Sequence, residues 1–197
     1  MKLNNIKSNQ FVRAASMLAG GAALSQLIAV VTLPFIARLY EPASFGFLAS
    51  YIAVLSISAI SICLRFDVAV PLPKNKEDGA ALVVVSSFFS AILSFLLFVI
   101  FLFFSDRILP YLGLESLESY LWIFFPSVFL FGIYSALQYW HVREKNFGLI
   151  ARARVVQVVV GVSIQILWGL NYLTDFGLIA GQSVCLFGSV FVLLYFF

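Results

Sequence analysis

The chain of 197 residues is 62% hydrophobic and 17% aromatic, has only 11% charged residues and reaches a mean hydropathy of +1.05, whereas a soluble domain is about half apolar and about a quarter charged. So few charges cannot cover a water-exposed surface, and a formal net charge of +3 without a basic block gives no footprint for nucleic acid. The solvent for most of this protein is lipid, and the class is an all-α polytopic membrane helix bundle.

Residues 1–13, MKLNNIKSNQFVR, are polar and form an N-terminal segment. The uncharged run that follows, to Arg38, is too long for a signal-peptide core, and no small-x-small site closes it, so it reads as a retained first span over 14–38. Along it Gly21, Ser25, Ala29 and Thr32 fall at i, i+4, i+8 and i+11, a small-residue face that predicts close approach of another helix and a place inside the bundle. The stretch LPFIARLYEPASFG, Leu33 to Gly46, turns at Glu41-Pro42 into span 2, 44–64, and predicts a membrane hairpin. Tyr51, Ser58, Ser61 and Arg65 put a polar stripe on span 2 that lipid would not tolerate.

RFDVAVPLPKNKEDG then reads as a loop, since Pro71 and Pro73 interrupt helix and its charges demand water. Span 3, 80–104, reads as apolar on all sides, and SDRILPYLGLESLES after it as a loop with room for one interfacial turn. Span 4, 120–140, contains Pro126, where a kink is expected, and ends in QYWHVREKNFG, expected to be wet. On span 5, 150–170, Arg154, Gln157, Gly161 and Gln165 form a second polar stripe at i, i+3, i+7 and i+11. Span 6, 177–197, has Gly177, Gly181, Cys185 and Gly188 on one close-packing face.

With six spans, the N-terminus and the second and fourth loops share a side with Lys2, Lys7, Arg13, Arg65, Lys74, Lys76, Arg143, Lys145, Arg152 and Arg154, leaving Arg38 and Arg107 on the other. Orientation follows Lys and Arg in short loops, so both chain ends are expected in the cytoplasm. Tyr40, Tyr111, Tyr120, Trp122, Trp168 and Tyr172 would mark the outer interface, and Tyr139 and Trp140 the inner one.

The single histidine, His141, falls in the fourth loop without a second ligand, so no metal site is expected. No phosphate-binding glycine loop, nucleophile–base order or acidic pair is present, and neither catalysis nor a cofactor is expected. What remains is polar residues on membrane helices. Arg38, Arg65 and Arg154 read either as anchors that reach headgroups or as cavity cations. Gln157 and Gln165, with Ser58 and Ser61, read either as interhelical hydrogen bonds or as a lining. The cavity reading suits an anion such as a lipid diphosphate, to whose oxygens guanidinium offers paired donors. Asp67 would neutralise Arg65 or couple to an ion.

Three stretches, LPFIARLYEPASFGFLASY, LRFDVAVPLPKNKEDGAALVVVSS and QYWHVREKNFGLIARARVVQ, resemble the O-antigen and polysaccharide flippases of the multidrug/oligosaccharidyl-lipid/polysaccharide exporter superfamily. Asp67 stands where that family more often has glutamate. The resemblance implies one six-helix lobe of a two-lobe flippase that moves an undecaprenyl-diphosphate-linked oligosaccharide across the bacterial inner membrane by alternating access. The six spans match the N-terminal lobe, so the expected partners are the lipid-linked oligosaccharide, membrane lipids, and either a C-terminal lobe or a second copy. A scaffold subunit of a polysaccharide export complex is the alternative, sharing the hydropathy without needing a cavity.

Overall fold

The computed structural model describes residues 2–62, 64–112, 115–172 and 175–197, with side chains except at 2–11, 60–61, 108, 111–112, 115–117 and 172. Every regular element among them is helical: α1 (Lys2–Leu39), α2 (Pro42–Ile62), the single turn α3 (Phe66–Ala69), α4 (Lys76–Leu112), a 3-10 turn (Glu115–Tyr120), α5 (Leu121–Arg143), α6 (Phe147–Tyr172) and α7 (Phe176–Tyr195). All six helices other than α3 and the 3-10 turn are long and apolar enough to cross a membrane. Several outrun their apolar windows. α4 starts at Lys76 and continues through Asp106, Arg107 and Pro110, residues expected in a loop, because the end of an apolar run marks the edge of the lipid and not the end of backbone hydrogen bonding. α5 likewise runs past Trp140 to Arg143 and has Pro126 inside it as expected, where the ring forfeits the bond to the Trp122 carbonyl.

The helices pack in an order the chain order does not suggest. α1 lies on α6, α6 on α7, α7 on α5 and α5 on α4, while α2 sits against α5, α4 and α7. Tyr40 and Glu41 join α1 to α2, yet the two helices go to different neighbours, so the expected hairpin is a tight connection and not a packed pair. α1 and α6 run parallel: Gly21 meets Ala151 at one end, and Tyr40 covers Gly169 at the other. α6 and α7 are antiparallel, with Gly177 beside Trp168 and Gly188 beside Val156 and Val160.

The small-residue faces make these close contacts. A Cβ on Gly21 would lie 2.5 Å from the Ala151 Cβ, and one on Gly161 3.1 Å from the Cys185 Cβ. α1 is not inside the bundle as expected, however. Its small face meets α6, while Leu24, Leu27, Val30, Val31, Leu33 and Phe35 are each at least 50% exposed, so it forms an edge. α4 is largely exposed too, but it is not apolar on all sides: Ser86, Ser90 and Ser94 are buried at four-residue spacing. Ser90 Oγ donates to the Phe129 carbonyl at 3.3 Å and Ser94 Oγ to the Phe125 carbonyl at 3.0 Å, both on α5. Most of the rest of the helix, with Phe88, Phe95 and Phe103, is open to lipid.

Between α2, α5 and α7 the core is cross-braced. Tyr51, fully buried, has its hydroxyl 3.1 Å from Ser127 Oγ and 2.9 Å from Ser183 Oγ, and its ring meets Phe124 edge-on. The end of α5, expected wet, is largely buried too. His141 is fully buried, and its Nε2 donates to the Leu193 carbonyl of α7 at 3.0 Å, while Trp140 is 2% exposed with its ring 4.9 Å from that of Phe197. Trp140 is therefore a core residue and not an interface marker, since Phe197, just past α7, and the Lys76 and Arg143 side chains cover its ring.

Candidate functional site

Two of the three stretches that carry the resemblance meet at this end of the bundle. Arg143 Nη2 donates to the backbone carbonyls of Asn75 at 2.6 Å and Pro73 at 3.2 Å. Its guanidinium lies 5.4 Å from the Trp140 ring centre, with Lys76 Nζ 5.8 Å from the same ring. Gly79 makes room for it: a Cβ there would be 3.0 Å from Arg143 Nε. Asp67, on α3, is buried and accepts a hydrogen bond from Ser135 Oγ of α5 at 2.5 Å, leaving Oδ1 without a partner among the described residues. Arg65 is exposed, with a left-handed φ of 61°. Among the described residues the one ion pair is Arg143–Glu144, and Asp67 and Arg65 are not in ion-pair contact.

The opposite end is held by the first of these stretches. Tyr40 is buried and its hydroxyl donates to the Gln165 carbonyl at 2.7 Å, so it ties α1 to α6 rather than marking the interface. Burial, and then the Asp175 carboxylate, push its titration up, which keeps this donor protonated. Ser44 Oγ at the start of α2 donates to Asp175 just before α7.

With both ends fixed, a cleft of about 480 Å³ remains between α1, α6 and α7, within the ~300–1,000 Å³ usual for ligand pockets. α6 supplies Arg154, Gln157 and Gln165, α1 supplies Ser25 and Gln26, and α7 supplies Gln182 and Cys185. Three of the sequence candidates, Arg154, Gln157 and Gln165, thus share one site. Arg38, Ser58 and Arg65 are not among its lining residues, and α2 contributes nothing to it. The Ser61 side chain lies outside the described residues.

Gln26 and Gln182 escape a reading by stripes, because each is a single polar residue on an otherwise apolar or small helix face, and only packing puts them opposite α6. Their amides make no hydrogen bond among the described residues. Gln157 reaches only the Cys185 sulfur at 3.9 Å and Gln165 only the Leu178 carbonyl at 3.4 Å, both weak contacts. The Ser25 hydroxyl, in contrast, is spent on the Gly21 carbonyl. Arg154, the one charged residue lining the cleft among the described residues, is exposed with its guanidinium beside the Tyr134 hydroxyl of α5.

The cleft therefore offers amide donors and acceptors with little protein to satisfy them, at membrane depth, where unsatisfied polar groups cost several kcal/mol. No three His, Cys, Asp or Glu side chains cluster as metal ligands among the described residues. Comparison with curated proteins and with solved structures gives no match. A family model described as polysaccharide biosynthesis protein matches residues 35–197, a span that takes in all three stretches of the resemblance except the first two residues of LPFIARLY. By that match the chain belongs to the polysaccharide biosynthesis protein family.

Proposed function

We propose that the protein is a flippase that carries an undecaprenyl-diphosphate-linked oligosaccharide across the bacterial inner membrane for O-antigen or other surface polysaccharide synthesis. The observation that carries this reading is the polar cleft of α1, α6 and α7 in a bundle whose outer faces are apolar. A lipid-linked glycan is polar at one end and hydrocarbon at the other, and a membrane cleft of this kind hides the first while the bilayer takes the second. The family match supports a role in polysaccharide synthesis, and the ten-to-two division of basic residues supports a cytoplasmic N-terminus. The open side of the cleft faces a second helical lobe or a second copy of the chain, against which the bundle would rock. The sites that would bind cargo are Arg154, Gln157 and Gln165, with Arg38, Ser58, Ser61 and Arg65 on its route. Nothing in this reading asks the protein to make or break a bond.

Deleting the gene in its own host tests the reading. Loss of surface polysaccharide with accumulation of the lipid-linked repeat in the cytoplasmic leaflet is expected. A scaffold subunit would instead leave the repeat crossing the membrane while altering polymer length or yield.

A further inference from the structure

The cleft is not uniform along its length. α1 and α6 are parallel and α7 is antiparallel to them, so the side chains can be put in order from contacts alone. Gly21 lies against Ala151 and Tyr40 against Gly169, which sets Gln26 level with the stretch between Arg154 and Gln157. Gly181 lies against Gly161 and Gln165, which sets Gln182 between Gly161 and Gln165. The cation, Arg154, is therefore at one end, a first pair of amides (Gln26 and Gln157) follows, and a second pair (Gln182 and Gln165) lies at the other end. From Arg154 to Gln165 the rise is about 16 Å at ~1.5 Å per residue.

The two ends have different chemistry. Guanidinium presents paired donors that fit phosphate oxygens, and no second charge lines the cleft among the described residues. A carboxamide presents donor and acceptor side by side and carries no charge, which fits a hydroxyl pair and gives a phosphate little advantage over water. Amides serving only as braces between helices would be spent on the facing helix, as Tyr51, Ser127 and Ser183 are. Gln26 and Gln182 are not spent.

We infer that the cleft binds its cargo in one orientation, the diphosphate at Arg154 and the sugar hydroxyls along Gln26, Gln157, Gln182 and Gln165. This rests on the transport reading and adds the direction of the ligand and the residues that read the glycan. Given a cytoplasmic N-terminus, the diphosphate sits toward the cytoplasm and the glycan leads toward the outer face.

The test uses the full chain in lipid nanodiscs and two probes, a short-chain isoprenoid diphosphate without sugar and the same oligosaccharide on an uncharged lipid. The double variant Gln165→Leu/Gln182→Leu is expected to weaken the uncharged glycolipid at least ~tenfold, the size of one or two lost hydrogen bonds, and to hold the diphosphate within about twofold of wild type. Arg154→Gln is expected to do the reverse. Each variant's unaffected probe shows that it is folded. Both variants weakening both probes alike, or the glutamine variant sparing the glycolipid, overturns the orientation alone. Binding of neither probe to wild-type protein overturns the transport reading as well.

Discussion

Two regions of the bundle use polar side chains in opposite ways. Where α2, α5 and α7 meet, Tyr51, Ser127 and Ser183 complete one another's hydrogen bonds out of contact with solvent, and along α4 Ser90 and Ser94 are closed onto α5 carbonyls. Between α1, α6 and α7 the amides of Gln26 and Gln182 close onto nothing among the described residues. In a membrane both arrangements begin from the same penalty for polar atoms. The first offsets it within the protein and makes a brace; the second leaves it open for water or a ligand. Completeness of partners, more than polarity, separates structure from site.

The largest effect expected to break this comparison is steric. Gly20 has open space around its Cα while Gly21 meets Ala151, so Gly21→Val should separate α1 from α6 at a cost of about 1–3 kcal/mol or more and dismantle the cleft. Gly20→Val should be near neutral. Thermal unfolding in detergent and abundance in the membrane measure both.

Tyr51→Phe comes next. It keeps the ring against Phe124 but strands the Ser183 hydroxyl, whereas Ser127 keeps its bond to the Ile123 carbonyl, with an expected loss of about 1–3 kcal/mol, read as a lower midpoint in the same unfolding measurement. Combining it with Ser183→Ala should recover part of that loss, because the hydroxyl left without its partner is then removed as well.

Arg143→Ala is expected to cost less overall and to act locally. It frees the carbonyls of Pro73 and Asn75, so trypsin should cut at Lys74 or Lys76 several-fold faster while the bundle persists. Arg143→Lys should give an intermediate rate, since one ammonium could serve the carbonyls that Nη2 holds but not Glu144 at the same time. Smallest of all is the stability effect of Gln26→Leu and Gln182→Leu. With no partner to strand, each should shift unfolding by less than ~0.5 kcal/mol or stabilise slightly; a loss of ~2 kcal/mol would reclassify them as braces.

Much of the fold is legible because lipid enforces it: six apolar runs became six long helices, and the glycine faces of spans 1 and 6 became contacts with α6. Neighbours were less legible. A two-residue connection suggests that α1 and α2 pack together, but Gly21 matches Ala151, and shape complementarity outweighs proximity in the chain. Windowed hydropathy also hides sparse patterns. Ser86, Ser90 and Ser94 are lost among phenylalanines, although their spacing of four was there to be read. His141, Trp140 and Tyr40 misled for a related reason, since amphipathic residues near the ends of apolar runs go to an interface or to a core according to what covers them. The candidate site was half legible. A stripe on one helix revealed Arg154, Gln157 and Gln165, while Gln26 and Gln182 complete it across helices that no single-helix pattern can connect.

The central claim, that the cleft is the wet path for a polar cargo, is tested most directly by thiol accessibility. In a background with Cys63→Ser and Cys185→Ser, a single cysteine is placed at Gln182 or at Phe95, which is 67% exposed on the apolar face of α4, and treated with a charged, membrane-impermeant thiol reagent in inverted and right-side-out vesicles. Rapid modification of the cysteine at 182 from at least one side, with the one at 95 inert from both, is the predicted result. Inertness at 182 from both sides, or equal modification at the two positions, would contradict the account.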